Sequence, residues 1–158
     1  TTNTDTLFIG GFTNKNNDYD IFLAKLDTQL NIVKAQELEL ENWNFCYDLV
    51  LNNNNVLGVG KSHDGLDYDA FIFKVNSNLD TVWTRSINNV KNQQLNKVIS
   101  YNDSIFVACG LGQGWDWVCH IRPCAPRVEG LKTMTGLIPF SDSVILVVNT
   151  RGNKVGNE

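Results

Sequence analysis

At 158 residues, with 42% hydrophobic and 19% charged content, the chain has the make-up of an ordinary globular domain and the length to bury a sizeable core. A formal net charge of −4 without a basic stripe argues against a nucleic-acid partner. The longest apolar run, at 144–148, is strand-sized, far short of the roughly 18 residues that span a bilayer, and four unevenly spaced cysteines exclude a disulfide-dense scaffold.

Residues 1–6, TTNTDT, include no initiator Met, basic segment or apolar segment. Two origins are expected for such a start: a removed leader, or a place within a longer chain. Strand formers begin at Leu7-Phe8-Ile9, lead into Gly10-Gly11, and give way to a polar loop at 13–18 before a second strand, IFLAKL, at 21–26. After a turn at 27–31, residues 32–40 alternate apolar side chains with Lys34, Gln36, Glu37 and Glu39, which predicts a strand with one wet face. Residues 46–51 make a fourth strand, and a run of four asparagines, 52–55, turns the chain. Asparagine suits that place because it tolerates the left-handed backbone of tight turns.

The same order then recurs. Gly11, Asp18, Tyr19, Asp20, Phe22, Lys25, Leu30 and Val33 stand 49 residues before Gly60, Asp67, Tyr68, Asp69, Phe71, Lys74, Leu79 and Val82. A third copy opens at 104–110, with Gly110 in the place of Gly60 and Asp116 in that of Asp69. Its next turn, RPCAPRVEG, carries two prolines, which disfavour a central strand. Residues 141–149, SDSVILVVN, match NDSIFVACG at 102–110 and begin a fourth copy. No segment shows a helical stripe. The chain therefore reads as a single all-β repeat domain, 1–158, with antiparallel four-stranded repeats of about 49 residues at 7–55, 56–103 and 104–142 and a partial one at 143–158.

Four strands per period without helices is the signature of radial β repetition, in which each sheet covers its neighbour, and a partial β-propeller is expected. The pattern G-x-T/S, loop, D-x-F-x-x-K-x-D/N, turn, x-V-W, at 11–33 and 60–83, resembles the bacterial β-propeller repeat of secreted and surface proteins. The third copy shares it through Gly110, Asp116 and Trp117; Lys34, which stands where the second copy has Trp83, and residues 123–126 depart from it. The resemblance implies a toroid, an extracellular or cell-surface location, and no single activity. Three blades' worth of strands is fewer than the four to eight that close a ring. Three arrangements follow: a portion of a longer propeller, a ring completed by another subunit, or a β-trefoil of three four-stranded units.

Three groups of residues stand out as candidate sites. Asp64, Asp67 and Asp69, in D-G-L-D-Y-D, supply the hard oxygen ligands that calcium takes, although the spacing is not an EF-hand loop and the plainer reading is turn-capping carboxylates. Trp115 and Trp117 flank Asp116 and share a face by strand alternation, which would suit stacking on a glycan or equally packing between sheets. Trp43 and Trp83 read as core. Cys119 and Cys124 are a possible disulfide pinning the proline-rich turn; a zinc reading with Cys109 and His120 fails on spacing.

No nucleophile elbow, phosphate loop or dinucleotide fingerprint is present, so no catalytic residue is assigned and no cofactor beyond possible calcium is expected. The expected function is a non-catalytic binding or scaffold module that presents loops 13–19, 61–68 and 111–115 on one rim to a protein or glycan partner. Alternatives are a glycan-binding lectin, a hydrolase, and a structural component of a surface assembly or filament. The last would join subunits through open strand edges.

Overall fold

The computed structural model describes residues 2–3, 5–63, 65–87, 92–101, 105–112 and 142–149. Within these, eleven strands form three antiparallel sheets and there is no helix. Sheet I runs β1 (Thr2–Asn3), β2 (Thr6–Lys15), β3 (Asp18–Leu26) and β4 (Ile32–Leu38). Sheet II runs β5 (Trp43–Asn52), β6 (Asn55–His63), β7 (Tyr68–Asn76) and β8 (Thr81–Ile87). Sheet III holds β9 (Gln93–Ser100), β10 (Ile105–Gly112) and β11 (Asp142–Asn149), with β10 in the middle. The chain is thus all-β. Among the described residues no helix is long and apolar enough to cross a membrane, and the sheets close into neither barrel nor ring.

Several strands run further than their hydropathy suggests. The polar stretch after Gly11 is strand rather than loop: β2 pairs with β3 as far as Lys15 opposite Asp18. Asn16 and Asn17 make this possible with φ of 56° and 64°, the left-handed pair of a type I′ hairpin, whose twist matches that of the strands. The Asn17 N–H donates to Asn14 Oδ1 at 3.2 Å. Likewise Lys61, Ser62 and His63 belong to β6 and Tyr68 to β7, and the described residues 65–67 between them are bends.

Packing is dictated by alternation along β6 and β7, whose side chains point to opposite faces. Val56, Phe71, Phe73 and Val75 join Phe8, Ile21, Leu23 and Leu38 of sheet I in one core. Leu57, Val59, Ala70 and Ile72 join Leu95, Val98, Phe106 and Ala108 of sheet III in a second. Sheet II is therefore covered on both sides.

Polar contacts key the sheets together. The β7–β8 turn docks on sheet I, where Lys25 Nζ donates to the Ser77 carbonyl at 3.1 Å and the Gln36 amide to that of Leu79 at 2.7 Å. Lys34 bonds the Asn78 carbonyl and pairs with Asp80 at 3.3 Å. Between sheets II and III, Asp48 accepts from the Val98 N–H at 2.9 Å and faces Lys97 at 3.6 Å.

Sheets I and II carry the same irregularities at positions 49 residues apart. Leu30 and Leu79 both sit in left-handed turns, φ 66° and 67°. Asp27 Oδ1 accepts from the N–H groups of Gln29 and Asn31, and Asn76 Oδ1 from those of Asn78 and Asp80. The acid and amide have exchanged ends: Asn31 donates its amide to Asp27, whereas Asn76 donates to Asp80. Asp27 and Asp80 are held below the usual carboxylate value chiefly by these amide donors.

Glycine is required where strands approach too closely for a side chain. A Cβ on Gly60 would lie 1.8 Å from the Phe45 carbonyl oxygen, and one on Gly110 1.8 Å from that of Gln94. Each faces a bulge in the neighbouring strand, at Tyr47 in β5 and Asn96 in β9. At Gly11 a Cβ meets nothing within 4 Å, because β1 pairs only with Thr6 and Leu7.

Two predictions follow from this geometry. Gly60→Ala should lower unfolding stability by about 1–3 kcal/mol, the cost of forcing atoms into a packed site, while Gly11→Ala should change it by under about 0.5 kcal/mol; denaturant melts of the two variants read the contrast. Carboxyl NMR should show Asp27 and Asp80 titrating below the ordinary Asp value. Because their native pKa values are depressed, their contribution is present above the unfolded pKa, ~3.9, and fades as pH falls through the lower native value.

Candidate functional site

The hairpin tip of β2–β3 and the β6–β7 turn bring a set of rings together with the first residues of β5. Phe12, Asn17 and Tyr19 from sheet I meet Trp43, Phe45, Lys61 and Tyr68 from sheet II around an open cleft of about 560 Å³. Tyr19 is wedged against Trp43 at 5.4 Å and Phe45 at 5.1 Å between ring centroids. Phe12 meets Phe45 edge-on at 4.9 Å. His63 extends the row, 5.2 Å from Trp43 and 4.8 Å from Tyr68. Edge-to-face and tilted contacts at 4.5–7 Å are the preferred geometry of aromatic pairs, so the rings hold one another in place.

Lys61 supplies the charge of this cleft. Its ammonium lies 3.8 Å from the Tyr68 ring centroid and 4.9 Å from that of Phe45, a cation held between two π-faces. Partial burial pushes its pKa below the ordinary lysine value. Burial also raises the Tyr47 phenol, with Tyr68 adding to it. The cleft offers flat apolar faces, one ammonium and the Asn17 amide.

Of the residues marked by the sequence, Asp67 and Asp69 are described and Asp64 lies outside the described residues. Asp67 is half-buried in the turn, and Asp69 is buried on β7. Asp69 borders a second, smaller cleft of about 250 Å³ with Asn44, Ser62, His63 and Ser86. Ser62 and Ser86 share a hydrogen bond of 2.7 Å across it. Among the described residues no three His, Cys, Asp or Glu side chains are grouped as metal ligands. Trp115, Asp116, Trp117, Cys119 and Cys124 lie outside the described residues, so the stacking triad and the disulfide are placed by sequence alone.

Trp43 is the main correction. Hydropathy assigns it to the core, but it is half-buried and lines the cleft, while Trp83 does pack against the second core. Tyr19 and Tyr68, spaced 49 residues apart, were the available signal; nothing local to Trp43 or Phe45 marks them as their neighbours.

Cys46 and Cys109 are free thiols in contrasting surroundings. Burial pushes the Cys46 thiol up to about 12, whereas Cys109 is exposed. A scan against protein-family models and a search of curated proteins find no match for this chain. Alkylation of the native protein at pH 8 followed by peptide mapping should label Cys109 and leave Cys46 unmodified until denaturant is added, because the thiolate is the reactive form.

Proposed function

We propose that the chain is a run of propeller-like blades of the bacterial surface-repeat type, and that it acts as a non-catalytic binding module whose site is the aromatic cleft at one end of sheets I and II. The shared turns of the two four-stranded sheets, their register shifts at Lys25/Leu26 and Lys74/Val75, and their face-to-face packing support the blade reading. The observation that carries the binding reading is the clustering of Phe12, Tyr19, Trp43, Phe45 and Tyr68 around open space with Lys61 between the rings.

Glycans are the ligand class that fits. Sugar rings present a flat C–H face to an aromatic ring and hydroxyls to polar groups at the edge, here the Asn17 amide and the Lys61 ammonium. A volume of about 560 Å³ is within the range of small-molecule sites, and its apolar lining with few polar groups matches their usual make-up. An extracellular or cell-surface setting accords with this reading.

Binding is expected to perturb Trp43, so intrinsic fluorescence titrated across a neutral and acidic glycan panel should shift on a hit. Trp43→Ala should then weaken that ligand by about tenfold or more, the scale of a stacked aromatic anchor. A panel that leaves the fluorescence of the intact protein unchanged overturns the glycan reading.

A further inference from the structure

The two junctions within the stack join unlike faces, and they do so in the same sense. In the first, sheet I offers Phe8, Ile21 and Leu23 to the Val56, Phe71 and Val75 face of sheet II. In the second, sheet II offers Leu57, Val59 and Ile72 to the Phe106 and Ala108 face of sheet III. Val56, Phe71, Val75 and Leu79 stand 49 residues after Leu7, Phe22, Leu26 and Leu30. By alternation Leu7, Phe22 and Leu26 lie on the side of sheet I turned away from sheet II.

Exposure separates the two sets at the turn, while along the strands Leu26 is buried and Leu7 and Phe22 are half-buried. Leu79 is 2% exposed beneath sheet I, but Leu30, with the same backbone conformation, is 66% exposed, and Ile9, paired with Ala24 on β2, is 41% exposed. At the other end Phe106 and Ala108 of β10 face sheet II, so Val107 and Leu111 face away. Leu111 is 44% exposed, and Ile99, 49 residues after the packed Val50, is 60% exposed. One end of the stack therefore bears the receiving kind of face and the other the offering kind. By position, the described residues of each end are the counterparts of one side of the internal junctions, and of opposite sides.

We infer that the outer face of sheet I, with Leu30 as its plug, binds the outer face of sheet III of a second copy of this chain, head to tail. The contact would be a third instance of the junction already present twice in the stack. A like-to-like pairing would set two receiving faces against each other, and a heterologous contact of this kind extends or closes a ring according to its rotation. The inference is independent of any ligand in the aromatic cleft.

The test is sedimentation velocity on the intact chain at concentrations up to about 1 mM, the weak end of specific association. The wild-type chain should self-associate. Leu30→Asp and Ile99→Asp, both at exposed sites and therefore compatible with folding, should each weaken association by about tenfold or more. An equimolar mixture of the two variants should regain paired species, because the intact receiving face of one meets the intact offering face of the other. A monomeric wild-type chain, association that neither substitution affects, or a mixture that stays as monomeric as its components would each overturn the inference.

Discussion

A β-sheet with two apolar faces cannot be covered by anything that touches only one of them, and sheet II has two such faces. Its central strands β6 and β7 send Phe71 and Phe73 one way and Val59 and Ile72 the other, all essentially withdrawn from water. Each side chain of that size contributes roughly 1.5–3 kcal/mol when fully buried, so leaving either face bare would forfeit much of the stability of a domain this size. Sheets I and III satisfy the two faces, and the layered architecture follows. The hydrogen bonds of Lys25 and Gln36 to the β7–β8 turn tie sheet II to sheet I.

Close layering imposes its own demands on the backbone. The bulges at Tyr47 and Asn96 press the neighbouring strand against a glycine, and Gly58 leaves the space in which the Phe73 ring lies. Where β1 stops short, the equivalent Gly11 is under no such pressure. The glycine of the motif is thus explained by its partner strand, not by its own conformation.

The aromatic cleft is a by-product of the same stacking. Tyr19 and Phe12 sit near the end of one hairpin, Trp43 and Phe45 begin the next sheet, and Lys61 and Tyr68 flank another turn. None of these groups alone is a site. Packing sheet I on sheet II brings the rings within 5–6 Å of one another and traps the ammonium between two of them, so the surface chemistry at this end depends on the core behind it.

Strand content, antiparallel hairpins and the turns at 27–31 and 52–55 were legible in the amino-acid order, because alternation of side chains and the left-handed tolerance of asparagine are local properties. Asn16, Asn17, Asn42 and Asn53 all adopt positive φ as that tolerance allows. The extension of β2 to Lys15 was not legible, since exposed strand residues and loop residues are both polar. Nor was the role of Trp43, because large apolar area suits a core and a ligand face equally. Which rings meet is decided by contacts between residues far apart in sequence, and only the packed sheets supply them. The sequence by itself determined that the chain forms strands and their order, because alternation is local; the tertiary structure decided how far the hairpins extend, which faces of sheet II are covered, and where the aromatic cleft opens.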